Sequence, residues 1–221
     1  MVGILHKSNV FVQRKYRSLF KKRISKQDIE LLKDTNFIII ANNCWGGAIY
    51  QWLTRSYNTP FIGLFINDTC YLKLLSNFDF YMKQELQFIT KSKYASNGEQ
   101  YPIGLLDDIE IHFLHYKSTE EAEEKWVRRT ERMLEEKDED RYFFKFSSSS
   151  QEETIYKKFH SLKFKNKISF HINNDCKIQS SAHLRVFERE KDKIVNGVKL
   201  FKLSFLYVDI FHWLRHNEIR K

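Results

Sequence analysis

The residues of this chain best suited to chemistry fall in two short blocks. In the first, Asn42, Asn43, Cys44, Trp45, Gly46 and Gly47 follow a run rich in β-branched residues and precede Ala48, Ile49, Trp52 and Leu53 at helical spacing. The run at 37–41 predicts a strand buried on both faces and the pattern at 47–56 predicts a helix, so the block forms a strand-to-helix turn. Such a turn sits at the carboxyl edge of a sheet, beside the unpaired N–H groups and positive dipole end of a helix. Three readings stay open. As an anion site, Gly46 and Gly47 let backbone N–H groups approach a phosphate, with Asn42, Asn43 and Trp45 around the same ligand. As a nucleophile elbow, Cys44 is activated by the helix end and a nearby histidine and forms an acyl or glycosyl intermediate. As packing, the asparagines satisfy backbone groups, the glycines allow close approach, and Cys44 and Trp45 fill the core.

The second block is the predicted strand 109–116. Period-two alternation puts Asp108, Glu110 and His112 on one face and Ile109, Ile111, Phe113 and His115 on the other. Asp108, Glu110 and His112 are candidate ligands for a divalent cation, or candidate acid and base, and a sheet-edge ion pair would explain them equally. His115, at the carboxyl end of that strand, reaches the edge carrying Cys44 if the two strands are neighbours, and otherwise serves structure. Arg129 shares the inward face of the next helix with Ala122, Trp126 and Met133. A buried arginine needs a partner, and a carboxylate of the preceding strand is the expected one.

The elements that position these residues follow from pattern and punctuation. Residues 28–33 predict a short helix, and 61–66 a second buried strand that closes a βαβ unit after the break at Asn58, Thr59 and Pro60. Asn67 and Asp68 cap a helix starting near Thr69, with helical spacing continuing through Leu86 and Ile89. Residues 92–100 read as a polar loop and 101–104 as a turn. Ser118 and Glu121 have capping-box spacing and open a helix to about residue 137. Residues 142–146 and 167–172 predict strands around a polar turn at 147–150 and a helix at 152–159. Residues 184–188 and 199–203 predict further strands, and 207–215 a closing helix. Alternating strands and helices predict an α/β fold of three layers, Rossmann-like, with a mostly parallel sheet covered by helices on both faces.

Bulk properties narrow the class. The chain has 221 residues, 42% of them apolar, which suffices for one domain with a full core, and no Pro/Gly/Ser-rich linker divides it. The net charge of +9 comes from the amino terminus: residues 1–26 hold eight basic residues and no acid, while the rest carries 29 basic against 28 acidic. We therefore expect a basic N-terminal arm at 1–26 and a single α/β domain at 27–221. The near-neutral domain argues against a nucleic-acid partner. The arm, with apolar Val12, Tyr16, Leu19 and Phe20 at helical spacing, suits peripheral contact with an anionic membrane or a solvated tail. No apolar run approaches the roughly 20 residues of a membrane span, and no secretory signal is legible. Three cysteines without paired spacing suit a reducing compartment, so the expected location is cytoplasmic, at the inner face of the membrane if the arm binds it.

Two stretches carry a family resemblance. Asn42-Asn43-Cys44-Trp45-Gly46-Gly47-Ala48-Ile49-Tyr50 with Thr59-Pro60-Phe61-Ile62-Gly63, and Tyr101-Pro102-Ile103-Gly104 running on through Asp108-Ile109-Glu110-Ile111-His112-Phe113-Leu114-His115-Tyr116 to Trp126 and Arg129, resemble the exopolysaccharide-biosynthesis family described as domain of unknown function 1919. Weaker echoes at 166–168 and 209–214 extend the resemblance over roughly residues 27–215 and leave out the arm. It implies an α/β fold and a place in surface-polysaccharide synthesis, without assigning catalytic residues. The expectation is a transferase, foremost of sugars, that takes a sugar nucleotide or lipid-linked sugar, with a divalent cation accompanying a nucleotide sugar. The alternatives are a non-catalytic binding or assembly protein of the polysaccharide machinery, and a hydrolase or acyltransferase that uses Cys44.

Overall fold

In the computed structural model, which describes Val12, residues 21–94 and residues 100–220, the chain runs through α1 (Lys21–Leu32), β1 (Ile38–Ala41), α2 (Trp45–Trp52), α3 (Asp68–Ser76), α4 (Phe78–Tyr81), β2 (Leu86–Ile89), β3 (Ile103–Leu106) and β4 (Ile109–His112). It continues through α5 (Thr119–Glu135), β5 (Tyr142–Ser147), α6 (Glu153–Ser161), β6 (Asn166–His171), β7 (His183–Arg185), β8 (Arg189–Glu190), β9 (Lys193–Ile194), α7 (Gly197–Ser204) and α8 (Ile210–His216). Strands β1, β5, β6 and β7 form a sheet in that order, all parallel. β2, β3 and β4 form a separate antiparallel sheet, and β8 and β9 a hairpin. The α/β class holds, but the parallel sheet takes only part of the strand content foreseen for it.

Alternation along the parallel strands sorts their side chains into two apolar clusters. Ile38, Ile40, Phe144 and Phe146 join Leu72, Leu75, Trp126 and Tyr156 from α3, α5 and α6. Ile39, Ala41, Phe143, Ile168 and Phe170 join Trp45, Ile49, Phe201 and Trp213 from α2, α7 and α8. Each such large side chain taken fully out of water contributes about 1.5–3 kcal/mol. The two clusters therefore hold the sheet from both sides.

Three expected elements differ, each for a local reason. Residues 61–66 do not enter the parallel sheet, so no βαβ unit closes there and β1 pairs with β5 instead. Gly63 at φ +71 breaks their extension, and Phe65 makes only an isolated antiparallel bridge with His112. The helical spacing at Leu86 and Ile89 belongs to strand β2, because four residues fit either period and Gly104 of β3 leaves room for Leu86 and Phe113 against it. Residues expected as a strand at 199–203 are helix α7, which Asn196 caps by accepting the Lys199 N–H at 2.9 Å. The predicted strand 109–116 ends at His112, whereas the Ser118 cap is as expected, its Oγ accepting from Glu121 N at 3.2 Å.

Helix α1 runs continuously across the boundary expected after residue 26. Leu32 is buried in the second cluster and Asp28 accepts from Trp52 Nε1 at 2.7 Å, so this segment is docked on the domain. The expected membrane contact rests on residues 1–26, most of which lie outside the described residues. No helix among the described residues is long and apolar enough to cross a membrane.

Candidate functional site

The pairing of strands β1 and β5 ends with Ala41 opposite Lys145. Beyond that pair β1 turns toward α2, while β5 runs on through Phe146 to Ser147, the first of four serines. Asn42 ties the two ends: its Nδ2 donates to Ser147 O at 2.9 Å and its Oδ1 accepts from Ser147 N at 3.2 Å. Asn43 Oδ1 accepts from Trp45 N at 3.2 Å and starts α2, while its Nδ2 donates to Ser147 Oγ at 2.9 Å.

Lys145 is the centre of this arrangement. It alternates with Phe144 and Phe146, faces the α2 side of the sheet and is fully buried. Its Nζ lies 2.5 Å from Ser147 Oγ, 3.0 Å from Asn43 Oδ1 and 3.4 Å from Asn42 Oδ1. All three partners are neutral. The amine donates to all three, and the same three atoms also accommodate an uncharged amine, with two N–H donors for the amide oxygens and its lone pair for the Ser147 proton. Burial drives the Lys145 pKa well below the ordinary lysine value, against the opposing pull of Asp68 and Cys44. Both Asp68 and Cys44 are themselves raised by burial: Asp68 despite its bond from Ser148 Oγ and the nearness of Lys145, and Cys44 despite Lys145. A thiol pushed upward is a poor thiolate.

This network forms the floor of a cavity of about 930 Å³ that Asn43, Cys44, Asp68, His115, Ser147 and Ser148 line, with Lys193, Lys199 and Lys202 also on its walls. Lys145 lies behind Ser147. A proton leaving the Ser147 hydroxyl therefore has an acceptor on the dry side of the wall.

The sequence-predicted residues separate at this point. Asn43, Cys44 and His115 line the cavity together, His115 on an exposed turn, and Asn42 lies buried beneath. Trp45, Gly46 and Gly47 face the core: Trp45 Nε1 donates to Ser204 Oγ at 2.9 Å, and Cβ atoms on the glycines would meet Ile39 at 2.8 Å and Ile62 at 3.5 Å. The start of α2 is itself covered, because a Cβ on Gly197 would lie 2.6 Å from Trp45 N and 2.9 Å from Cys44 N. Asp108 is in the β3–β4 turn, bonded to Lys73 and, at 2.9 Å, to Tyr81 Oη. Glu110 and His112 are buried 3.6 Å apart in the antiparallel sheet, where Glu110 accepts from Ser92 Oγ at 2.6 Å and Lys93 N at 2.9 Å. These three do not converge on the cavity. Arg129 points inward as expected, but its partners are the Tyr116 hydroxyl at 2.8 Å and the Tyr57 ring at 4.9 Å, in place of the carboxylate foreseen.

Sequence reasoning passed over Lys145, Ser147 and Asp68. The available signal was a lysine inside Tyr142-Phe143-Phe144-Lys145-Phe146, where every neighbour is aromatic and a charge has no water to face. Among the described residues, the side chains whose metal-ligating atoms all lie within 4.8 Å of one another are His171, Cys176 and His183, on β6, the following loop and β7.

A model of the family described as "Domain of unknown function (DUF1919)" matches residues 15–215. The match begins inside the basic arm and runs further toward the amino terminus than the motif blocks suggest. An uncharacterised protein of Haemophilus influenzae (strain Rd) is 34% identical over 159 residues, which cover 72% of this chain and 73% of that protein.

Proposed function

This chain belongs to the DUF1919 family, and we propose from its geometry that it is a transferase acting on carbohydrate, with Ser147 as the attacking group and Lys145 as the base. The observation that carries this reading is the 2.5 Å contact between the Oγ of Ser147, a residue that lines the cavity, and the buried Lys145 amine. Chemistry of this kind suits acyl transfer. Ser147 gives its proton to Lys145 and bonds to the acyl carbon of the donor, whose leaving group departs with that proton. A sugar hydroxyl then attacks the ester and passes its proton to Lys145, which returns it to Ser147 as the bond to the serine breaks. Asn43 Nδ2 donates to the same oxygen and steadies the charge that builds there.

The place in surface-polysaccharide synthesis is part of the same proposal, as is a three-layer, Rossmann-like reading of the fold. Its support is the pair of apolar clusters on the two faces of the parallel sheet and a cavity at the carboxyl edge, where open α/β sheets take their ligands.

A second reading, direct sugar transfer from a nucleotide sugar with or without a divalent cation, is favoured by the three wall lysines and by a cavity large enough for such a ligand. Lys145 would then deprotonate the acceptor hydroxyl through Ser147. The two are separated by incubating the full chain with acyl thioesters and mapping any adduct by mass spectrometry. An ester on Ser147, absent from Ser147→Ala, is the expected result. A thermal shift with nucleotide sugars and no adduct would select the second reading. Neither response would favour the binding or assembly role.

A further inference from the structure

The parallel sheet ends in a second polar group, on the face opposite to Lys145. Ser169 and His171 of β6 alternate with Ile168 and Phe170, and His183 of β7 stands opposite Ser169. The rings of His171 and His183 stack at 4.1 Å with an interplanar angle of 6°. The loop between the strands brings Cys176 Sγ to 3.1 Å from His183 Nε2. His171 is 4% exposed, and its Nδ1 is buried without a hydrogen-bond partner. A buried imidazole nitrogen left unpaired is costly, and the cost disappears if an ion takes the lone pair.

We propose that His171, Cys176 and His183 bind a zinc ion. Two imidazoles and a thiolate are a borderline-soft donor set that suits tetrahedral zinc, and three protein ligands leave one position open. A cavity of about 460 Å³ adjoins the group, lined by Asn173, Asn174, Arg185 and Tyr207 as well as the three ligands. His183 has the outer contact a metal-bound histidine needs. Ser169 Oγ lies 2.6 Å from His183 Nδ1 and 2.8 Å from His160 Nε2. In the arrangement that closes this chain, His183 Nδ1–H donates to Ser169, Ser169 donates to His160, and Nε2 of His183 is left for the metal. Arg185 is the one nearby cation among the lining residues, and its guanidinium is engaged by Asn174 Oδ1 and by the Phe187 ring at 4.7 Å. On binding, the ion replaces the proton shared between Cys176 Sγ and His183 Nε2, and that proton goes to solvent.

The test is a titration of the full chain with cobalt(II), read by the thiolate-to-cobalt charge-transfer band, and with zinc, read by competition against a chromophoric chelator. One metal per chain with a charge-transfer band is expected. Cys176→Ser removes the band; Cys176 is half-buried on a loop, so circular dichroism should stay unchanged. Ser169→Ala keeps the band and weakens zinc binding by roughly 10- to 100-fold. No uptake at one equivalent by the folded chain, or a band that survives Cys176→Ser, overturns the site. The outcome is independent of any activity at Ser147.

Discussion

The Lys145 site and the Glu110–His112 pair both bury ionisable groups on strands, yet they solve the burial problem differently. In the antiparallel sheet Glu110 sits beside His112 and takes the Ser92 hydroxyl and the Lys93 N–H, so the carboxylate spends its acceptors on structure. At the parallel edge Lys145 is hydrogen-bonded only to neutral groups, and one of them, Ser147, lines a cavity. The first arrangement satisfies a charge where it lies. The second disfavours the charge and sets the amine next to the hydroxyl of a residue that lines the cavity. A buried polar residue thus points to chemistry through what its partners touch, more than through its own type.

The largest test of that difference is catalytic. Lys145→Met should lower transfer by about 100- to 10,000-fold, as removal of a positioned general base does, while Glu110→Gln should leave the rate of the folded enzyme within a few-fold. Single-turnover rates on matched amounts of folded protein measure both. Equal losses in the two variants would abolish the distinction between the sites.

Next in size is the contact that closes the start of α2. Gly197→Ala puts a Cβ within 2.7 Å of Asn43 Oδ1 and 2.6 Å of Trp45 N. Backbone cannot yield as a side-chain tip can, so a loss of about 1–3 kcal/mol is expected, read from the denaturant midpoint. Full stability in Gly197→Ala would mean that α7 does not seal the turn.

A pH series sharpens the assignment of the neutral amine. The Lys145 pKa is lowered by folding, so between its folded value and the usual 10.5 the unfolded chain holds a proton that the folded chain has released. Stability therefore rises as pH climbs toward 10.5, and the cost grows as pH falls from there to the folded pKa. Lys145→Met has no such proton to exclude. Its orphaned acceptors keep other donors, since Asn42 Oδ1 retains Ser147 N and Asn43 Oδ1 retains Trp45 N. The variant should be more stable than the parent at pH 7, with the gap narrowing toward pH 10. A gap independent of pH would mean that Lys145 is charged in the folded state.

Legibility in the sequence followed the range of the interaction. The strand-to-helix turn, the Ser118 cap and the inward Arg129 depend on neighbours along the chain, and each is found where the pattern puts it. The pairing of β1 with β5 joins segments a hundred residues apart and has no local mark, so residues 61–66 took the place of the true partner. The role of Lys145 was hidden for the same reason: its partners Asn42 and Asn43 arrive from β1, and its aromatic neighbours mark it as buried without showing what it meets. The turn was split by a feature that spacing could not show. Its amide half faces the cavity with Cys44, while its Trp45-Gly46-Gly47 half is pressed on Ile39 and Ile62.

The smallest effect expected is at Asp108, which sequence alternation grouped with Glu110 and His112. Asp107 at φ 53 makes the β3–β4 turn and carries Asp108 out of the alternating strand, to the half-exposed Lys73 and the hydroxyl of the buried Tyr81. Its pKa is lowered, chiefly by the Lys73 bond, but both partners are about half exposed and water screens what the pair contributes. Asp108→Asn keeps one acceptor, for Tyr81, and gives up the charge together with the half-exposed Lys73 bond. The denaturant midpoint should move within error and transfer should be unchanged, in contrast to Lys145→Met. A rate loss in Asp108→Asn comparable to that of the lysine variant would move the chemistry from the parallel edge to the antiparallel sheet.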